Sequence, residues 1–463
     1  MSPLCSGSHA QEASRPARVY RRRRPERTAV YQVVQEHLET WLAHYNEAEP
    51  ESNPVPHYIE RDLRKFLECG ILAHGFARAY CDHCGRDFLI AYSCKGRGIC
   101  PSCNSKRMAA VAAHLVDEVF PCVPVRQWVI SFPKRLRYFL LHNSDLANRV
   151  IRIAVELIEH QLIQSARAPD AARIGAVFFL HHFGSSLNAH LHFHFAICDG
   201  VFYKAGDTLH FAEANVTVVD IAQVQEQFRK RILALFVRRG LLDKAAAQSM
   251  AQWSHGGGFS INGAVRIDAF ERRGLERLLR YCARPLYAAG RLQWIVPGER
   301  LRYRLAKPGP FGETELILTP FEFIDRITQL MPAPRRHRHR YFGVFAPNAP
   351  LRKQVTACAG LPIGKQAPEK TVASKAREAA QGVSASLRAM LLARIYEVFP
   401  LICPYCGSEL RTLAFVTDSS SISTILTPSS WPVVSWVCDS ARYSSCVVGL
   451  RRILNRESRE SSC

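Results

Sequence analysis

The stretch AHLHFHFAIC, residues 189–198, alternates imidazole and hydrocarbon side chains with a period of two. That period belongs to an extended strand, whose successive side chains point to opposite faces, and not to a helix. Leu191, Phe193, Phe195 and Ile197 share one face, which is expected to pack on a layer of helices. His190, His192 and His194 share the other. Two histidines at i and i+2 lie roughly 6.5–7 Å apart along a strand, so both rings can converge on one ion. A site with only two protein nitrogens leaves positions open for phosphate oxygens. The HExxH spacing of a zinc protease is absent here. Upstream, FFLHHFGSSLN reads as the first arm of a hairpin that turns at 184–188. The plainer reading of the pair is structural strand histidine.

A chain of 463 residues with 48% apolar content supports a sizeable core and roughly two to four domains. Its formal net charge of +21 calls for a polyanionic partner, and nucleic acid leads. Residues 1–30 hold seven Arg and two Glu, including RVYRRRRPER, and read as a mobile basic arm. PRRHRHRY at 334–341 reads as a second backbone-binding segment or a solvated charge run. No run of 18 apolar residues marks a membrane span, and no apolar leader marks secretion. The expected location is the cytoplasm.

A second half-site lies in GLERLLRYCARPLY, 274–287. Leu275, Leu278, Leu279 and Cys282 form the buried stripe of a helix, expected over 271–284, and Tyr281 lies off that stripe. Its helical neighbours are Arg277 and Arg284, and Pro285 ends the helix. A phenol is a poor nucleophile at neutral pH, but flanking guanidiniums favour its anion. An Arg-stacked surface tyrosine is the plainer alternative, and Tyr287 is the competing nucleophile.

The 16 cysteines include Cys81-x2-Cys84, fifteen intervening residues, then Cys100-x2-Cys103. In a chain without a secretory leader this spacing predicts a tetrathiolate zinc site, with Cys94 and His83 as spare donors. Lys95, Arg97, Lys106 and Arg107 surround it and suit phosphate contact. Cys403-Pro-Tyr-Cys406 is half of a further site. Helices are also expected over 31–78, 105–120, 145–167 and 221–239, strands at 126–132 and 174–183, and a turn-rich segment over 79–104.

From about residue 60 to 420, in order, SCKGRGICPSC, RQWVISFPKRLRYFL, FGSSLNAHLHFHFAICDGVF, GLERLLRYCARPLYAAGRL, HRHRYFGVFAPNAPLR and LLARIYEVFPLICPYCGSEL resemble the rolling-circle transposases of bacterial insertion sequences. These belong to the HUH single-strand endonuclease class, in the branch with an N-terminal zinc-binding domain. The resemblance implies an α+β fold: an HUH-type antiparallel sheet palm with helices on one side, preceded by a small zinc-binding domain. It implies that His192 and His194 hold Mg²⁺ or Mn²⁺ with a third, unassigned ligand, and that Tyr281 is the nucleophile. Position 285 is Pro and 284 is Arg, so the single-tyrosine form is indicated.

On this pattern the domains are a basic arm at 1–30, a helical and zinc-binding domain at 31–120, an HUH catalytic domain at 121–345, a linker at 346–382, and a CxxC module at 383–418. A Ser-rich tail at 419–463 departs from globular patterning, as after a shifted reading frame. The implied partners are single-stranded DNA at transposon ends and target DNA, with no membrane. The implied reaction is nicking and rejoining through a 5′-phosphotyrosine link, with Zn²⁺ in a structural role. There is no Walker A motif, in keeping with a reaction that conserves bond energy in a covalent link. A non-catalytic zinc-ribbon DNA-binding protein would also account for charge and cysteines, and a phosphodiesterase using water for the metal.

Overall fold

The computed structural model describes residues 24–48, 54–309, 311–363, 403 and 405–426. These fall into two compact units, one built from 24–69 and 93–363, the other from 70–92 and the described residues beyond 402. The arm before residue 24 and residues 364–382 lie outside the described residues; the first half of the expected 346–382 linker is instead packed structure, with a short helix Arg352–Ala357 whose Val355 is buried in the core.

The larger unit is organised by an antiparallel sheet. Its strands are β1 (Val125–Ser131), β2 (Gly175–Phe183), β3 (Ala189–Cys198), β4 (Ser260–Asn262), β5 (Arg266–Ile267) and β6 (His339–Gly343). They run in the order β6-β2-β3-β1-β4, and β5 also pairs with β1. Apolar alternation decides what each face meets. Trp128, Ile130, Phe178, Phe193, Phe195 and Ile197 are buried on one face. They pack there on two long helices, α2 (Ser144–Ala166) and α3 (Val218–Arg238). Asn143 caps α2, and Thr217 and Asp220 form a capping box on α3, so both helices start within a few residues of the expected positions.

The opposite face carries Val177, Phe179, Ala196 and Cys198. It is covered by α1 (Pro101–Glu118) and α4 (Arg272–Cys282), which pack on each other through Ala112, Leu115, Leu275 and Leu279. The apolar face of β3 therefore builds the main core. Its histidine face lies on the side of α4, the helix that bears Tyr281. The start of α1 differs from the expected Ser105: Pro101 at the first helical position, where its missing N–H costs nothing, begins the helix.

Asp199, directly after the histidine strand, is fully committed to the framework. Arg126 on β1 holds it at 2.7 and 2.8 Å, and Arg266 on β5 at 2.9 Å. A buried carboxylate held by two guanidiniums locks three strands together and is not free to ligate.

Helicity expected over 31–78 ends at Glu68, after helices Ala29–Ala48 and His57–Glu68. Gly70 and Gly75, with φ of +83° and +106°, turn the chain into the smaller unit. There the segment expected to be mostly turns forms a hairpin of strands Phe76–Cys81 and Arg86–Ala91. Strand Arg411–Val416 pairs antiparallel with Phe76–Cys81, making a three-stranded ribbon. A buried ion pair between Arg78 and Asp87, at 2.6 and 2.9 Å, bridges the hairpin, and helix Ser419–Leu426 follows the third strand. No described helix is long and apolar enough to cross a membrane.

Candidate functional site

The antiparallel register of β2 and β3 sets His181 directly opposite His192. Three imidazoles, His181, His192 and His194, thereby meet on one face, with ring centroids 4.3–5.1 Å apart. One ring nitrogen from each lies within 4.8 Å of the others. In each ring the other nitrogen is engaged. His181 Nε2–H donates to the Cys282 carbonyl at 2.6 Å, and His192 Nδ1–H to the His190 carbonyl at 2.9 Å. His194 Nδ1 meets the Gln127 amide at 3.0 Å. His181 Nδ1 and His194 Nε2 are buried and have no hydrogen-bond partner.

Burial, followed by the neighbouring histidines and Arg284, keeps the charged forms of His181 and His194 unfavourable. His181 is held well below the usual imidazole range and His194 is pushed down to about 3. Burial is also the largest cause for His192, which falls to about 4. Neutral imidazoles with one tethered and one open nitrogen are the form in which histidine binds a metal. An amide oxygen facing His194 Nδ1 would complete that arrangement, because it leaves the Nε2 lone pair free. The donor set therefore fits a metal ion. His190 is not among the converging nitrogens: its ring lies edge-on to His192 with centroids 5.1 Å apart, and its Nδ1 is 3.3 Å from the Arg137 guanidinium.

Tyr281 sits on the last turn of α4, where its position off the buried stripe leaves it half exposed. Its ring packs edge-on to His194 with centroids 5.6 Å apart, and the Arg284 guanidinium lies 4.9 Å from its centroid. Its neighbour Cys282 reaches the histidine trio twice, through the carbonyl that holds His181 and through Sγ, 3.5 Å from the Gln127 amide nitrogen. Tyr287 is different. It is buried, its hydroxyl donates to the Ile99 carbonyl at 2.6 Å, and burial holds the phenol well above its usual range. Buried and hydrogen-bonded in this way, Tyr287 lacks the exposure that Tyr281 has.

The expected arginines divide. Arg284 is at the tyrosine, whereas Arg277 is exposed and pairs with Glu271 at 3.1 Å. Arg107 donates to the Lys95 carbonyl at 2.9 Å, and Arg97 to the Arg336 carbonyl. Arg338, within the basic stretch at 334–341, donates to Asn104 at 3.1 Å and to the Arg284 carbonyl at 3.2 Å. Burial and the charges of Arg107 and Arg97 push its guanidinium down to about 10. Lys95, Arg97, Lys106, Arg107 and Arg338 thus belong to one basic neighbourhood around the start of α1.

The single cysteine quartet is corrected. Cys100 and Cys103 converge with Cys69 and Cys94, and Cys81 and Cys84 with Cys403 and Cys406. In the first set, sulfur–sulfur distances are 3.6 Å for Cys69–Cys100 and Cys94–Cys103, and 3.7 Å for Cys69–Cys103. Spacing alone shows that a CxxC turn presents two thiols, not which second pair faces them. Here Cys81 and Cys84 flank the tip of the hairpin formed by Phe76–Cys81 and Arg86–Ala91. His83 is exposed and joins neither set.

His181 was also missed. Its signal was present in FFLHHF: a strand of period two puts His181 in phase with Phe179 and Phe183, and only the register decides that this phase meets His192.

Comparison with known proteins adds the following. Residues 175–353 match the family described as "Putative transposase", and residues 33–132 match the "Transposase zinc-binding domain" of the IS91 type. A curated relative, the transposase for insertion sequence element IS801 of Pseudomonas savastanoi pv. phaseolicola, is 23% identical over 302 residues. Those residues cover 61% of this chain and 69% of that protein. No solved structure matches significantly. The zinc-binding match contains the Cys69, Cys94, Cys100 and Cys103 cluster, and the transposase match contains His181, His192, His194 and Tyr281. With the two domains in this order over an α+β fold, the chain belongs to the rolling-circle insertion-sequence transposases of the IS91/IS801 family.

Proposed function

We propose that this transposase nicks and rejoins single-stranded DNA at element ends as an HUH-class enzyme, with Tyr281 as nucleophile and His181, His192 and His194 holding a divalent ion. The observation that carries this reading is the half-exposed phenol of Tyr281 packed against His194, one of three neutral imidazoles with converging nitrogens. Their donor set, three nitrogens and no carboxylate, suits Mn²⁺ better than Mg²⁺. When bound, such an ion polarises a phosphate and helps to orient it.

The chain's own residues account for the remainder. The Tyr281 oxygen bonds to the scissile phosphorus as its hydroxyl gives up a proton to solvent, while the bond from phosphorus to the 3′-oxygen breaks and that oxygen takes up a proton from solvent and leaves as a 3′-hydroxyl, with no net change in protons. Arg284 places positive charge beside the attacking phenolate and the phosphoryl oxygens. The Cys282 carbonyl and Gln127 hold two of the imidazoles in orientation. Attack by a 3′-hydroxyl on the phosphotyrosine reverses the step, so joining needs no nucleotide hydrolysis. Lys95, Arg97, Lys106 and Arg107 contribute backbone contacts to the DNA. The Cys69, Cys94, Cys100 and Cys103 thiolates hold structural Zn²⁺, which fixes the start of α1.

The test is incubation of the protein with single-stranded oligonucleotides from the element ends and Mn²⁺. The expected product is a covalent protein–DNA adduct with a free 3′-hydroxyl fragment, both lost together in Tyr281→Phe. Cleavage that continues in Tyr281→Phe would support a phosphodiesterase using water. Binding without cleavage would support the non-catalytic DNA-binding reading.

A further inference from the structure

The second cysteine set lies partly outside both matched domains, because Cys403 and Cys406 fall beyond residue 353. We infer that Cys81, Cys84, Cys403 and Cys406 form a second tetrathiolate zinc site, which closes the C-terminal CxxC turn onto the N-terminal hairpin and makes the three-stranded ribbon one metal-stapled body.

The sulfurs carry the first part of the argument. Cys81 Sγ lies 3.4 Å from Cys406 Sγ, Cys84 Sγ lies 3.5 Å from Cys403 Sγ, and all four fall within 4.8 Å of one another. A zinc ion with Zn–S bonds of about 2.3 Å in a tetrahedron sets its sulfurs about 3.8 Å apart. Four thiols converging on a common centre match that edge far better than two independent pairs would.

The backbone carries the second part. The two turns are built alike. Gly85 follows Cys84 with φ +70° and donates its N–H to the Cys81 carbonyl at 2.9 Å. Gly407 follows Cys406 with φ +74° and donates to the Cys403 carbonyl at 2.9 Å. A glycine in the left-handed region after the second cysteine curls each turn so that both sulfurs face the same point. Residues more than 300 positions apart thus form matching halves of one knuckle pair.

The surroundings hold the halves in place. Strand Arg411–Val416 is in register with Phe76–Cys81, and Asp82 accepts two hydrogen bonds from Arg411 at 3.1 and 3.2 Å. The Arg86 guanidinium lies 3.7 Å from the centroid of the Tyr405 ring, inside the second turn. The three-stranded ribbon is small, and a structural metal is the usual means of stabilising so small a core.

The experiment uses the full chain purified under reducing conditions. Zinc is measured by elemental analysis, and cysteine protection by maleimide labelling with peptide mass spectrometry. Cys403→Ser with Cys406→Ser is expected to lower zinc by one equivalent per chain relative to the parent. Cys81→Ser with Cys84→Ser is expected to lose the same equivalent and to expose Cys403 and Cys406 to labelling, while Cys69, Cys94, Cys100 and Cys103 stay protected. Loss of protection at all eight cysteines reports a general folding failure, and the single substitution Cys406→His, which retains a zinc donor, then decides: retention of the full zinc content supports the site. Unchanged zinc in both double variants would overturn the proposal. So would rapid labelling of Cys403 and Cys406 in the parent, or their recovery as disulfides.

Discussion

The two faces of β3 do opposite work with neighbouring residues of one strand. Leu191, Phe193, Phe195 and Ile197 are buried against α2 and α3 and support the main core. His192 and His194, also buried, carry neutral imidazoles, and Nε2 of His194 has no hydrogen-bond partner. Polar groups taken out of water without full pairing cost stability, so such a face is retained only if something else compensates. On our reading the compensation is a bound cation and its substrate phosphate. One face therefore specifies the fold and the other the chemistry, and substitutions should separate the two.

Phe193→Ala should give the largest effect. The ring is fully buried, with its centroid 4.9 Å from that of Phe132 and 5.2 Å from that of Phe178. Its removal is expected to cost about 3–5 kcal/mol in denaturant unfolding. A loss below about 1 kcal/mol would dissolve the contrast between the faces. On the chemical side, Arg284→Ala should slow cleavage by about 10²-fold or more with little change in melting temperature. Arg277→Ala, whose pair with Glu271 is exposed, should leave both unchanged within error. Equal effects from the two arginines would remove Arg284 from the site.

Gln127→Ala should weaken Mn²⁺ binding by roughly 10–100-fold, as expected for a group that orients a ligand, while the core stays intact. Calorimetric titration of the metal checks this. Tyr287→Phe is expected to act on stability alone. It leaves the buried Ile99 carbonyl unpaired, at a cost of about 1–3 kcal/mol in thermal unfolding, and leaves cleavage intact. Loss of cleavage in a variant that remains folded would return Tyr287 to contention.

How far the sequence was readable follows from the range of the interactions. The strand period in 189–198 is local, so the division of its faces was legible. The position of Tyr281 off the stripe of its helix was legible for the same reason. His181 was not, because its place beside His192 depends on the pairing register of two strands, and register is a relation between segments. The cysteine sets were misjoined on the same ground. Cys81 and Cys84 look toward Cys100 and Cys103 in sequence, yet their partners lie more than 300 residues away, on a turn aligned by the pairing of Arg411–Val416 with Phe76–Cys81. The division between Arg277 and Arg284 was hidden too. Helical spacing makes both neighbours of Tyr281, but the helix ends at Cys282, so Arg284 lies beyond it beside the ring, while Arg277 is exposed and pairs with Glu271.

The central claim is that the phenol of α4 becomes covalently joined to DNA beside the histidine trio. Peptide mass spectrometry of the protein after reaction with a single-stranded end oligonucleotide and Mn²⁺ tests it directly. The account predicts a nucleotide mass on the peptide containing Tyr281, absent in Tyr281→Phe and in the combined His192→Ala and His194→Ala variant. A nucleotide on any other residue, or cleavage that leaves every peptide unmodified throughout the time course, would contradict it.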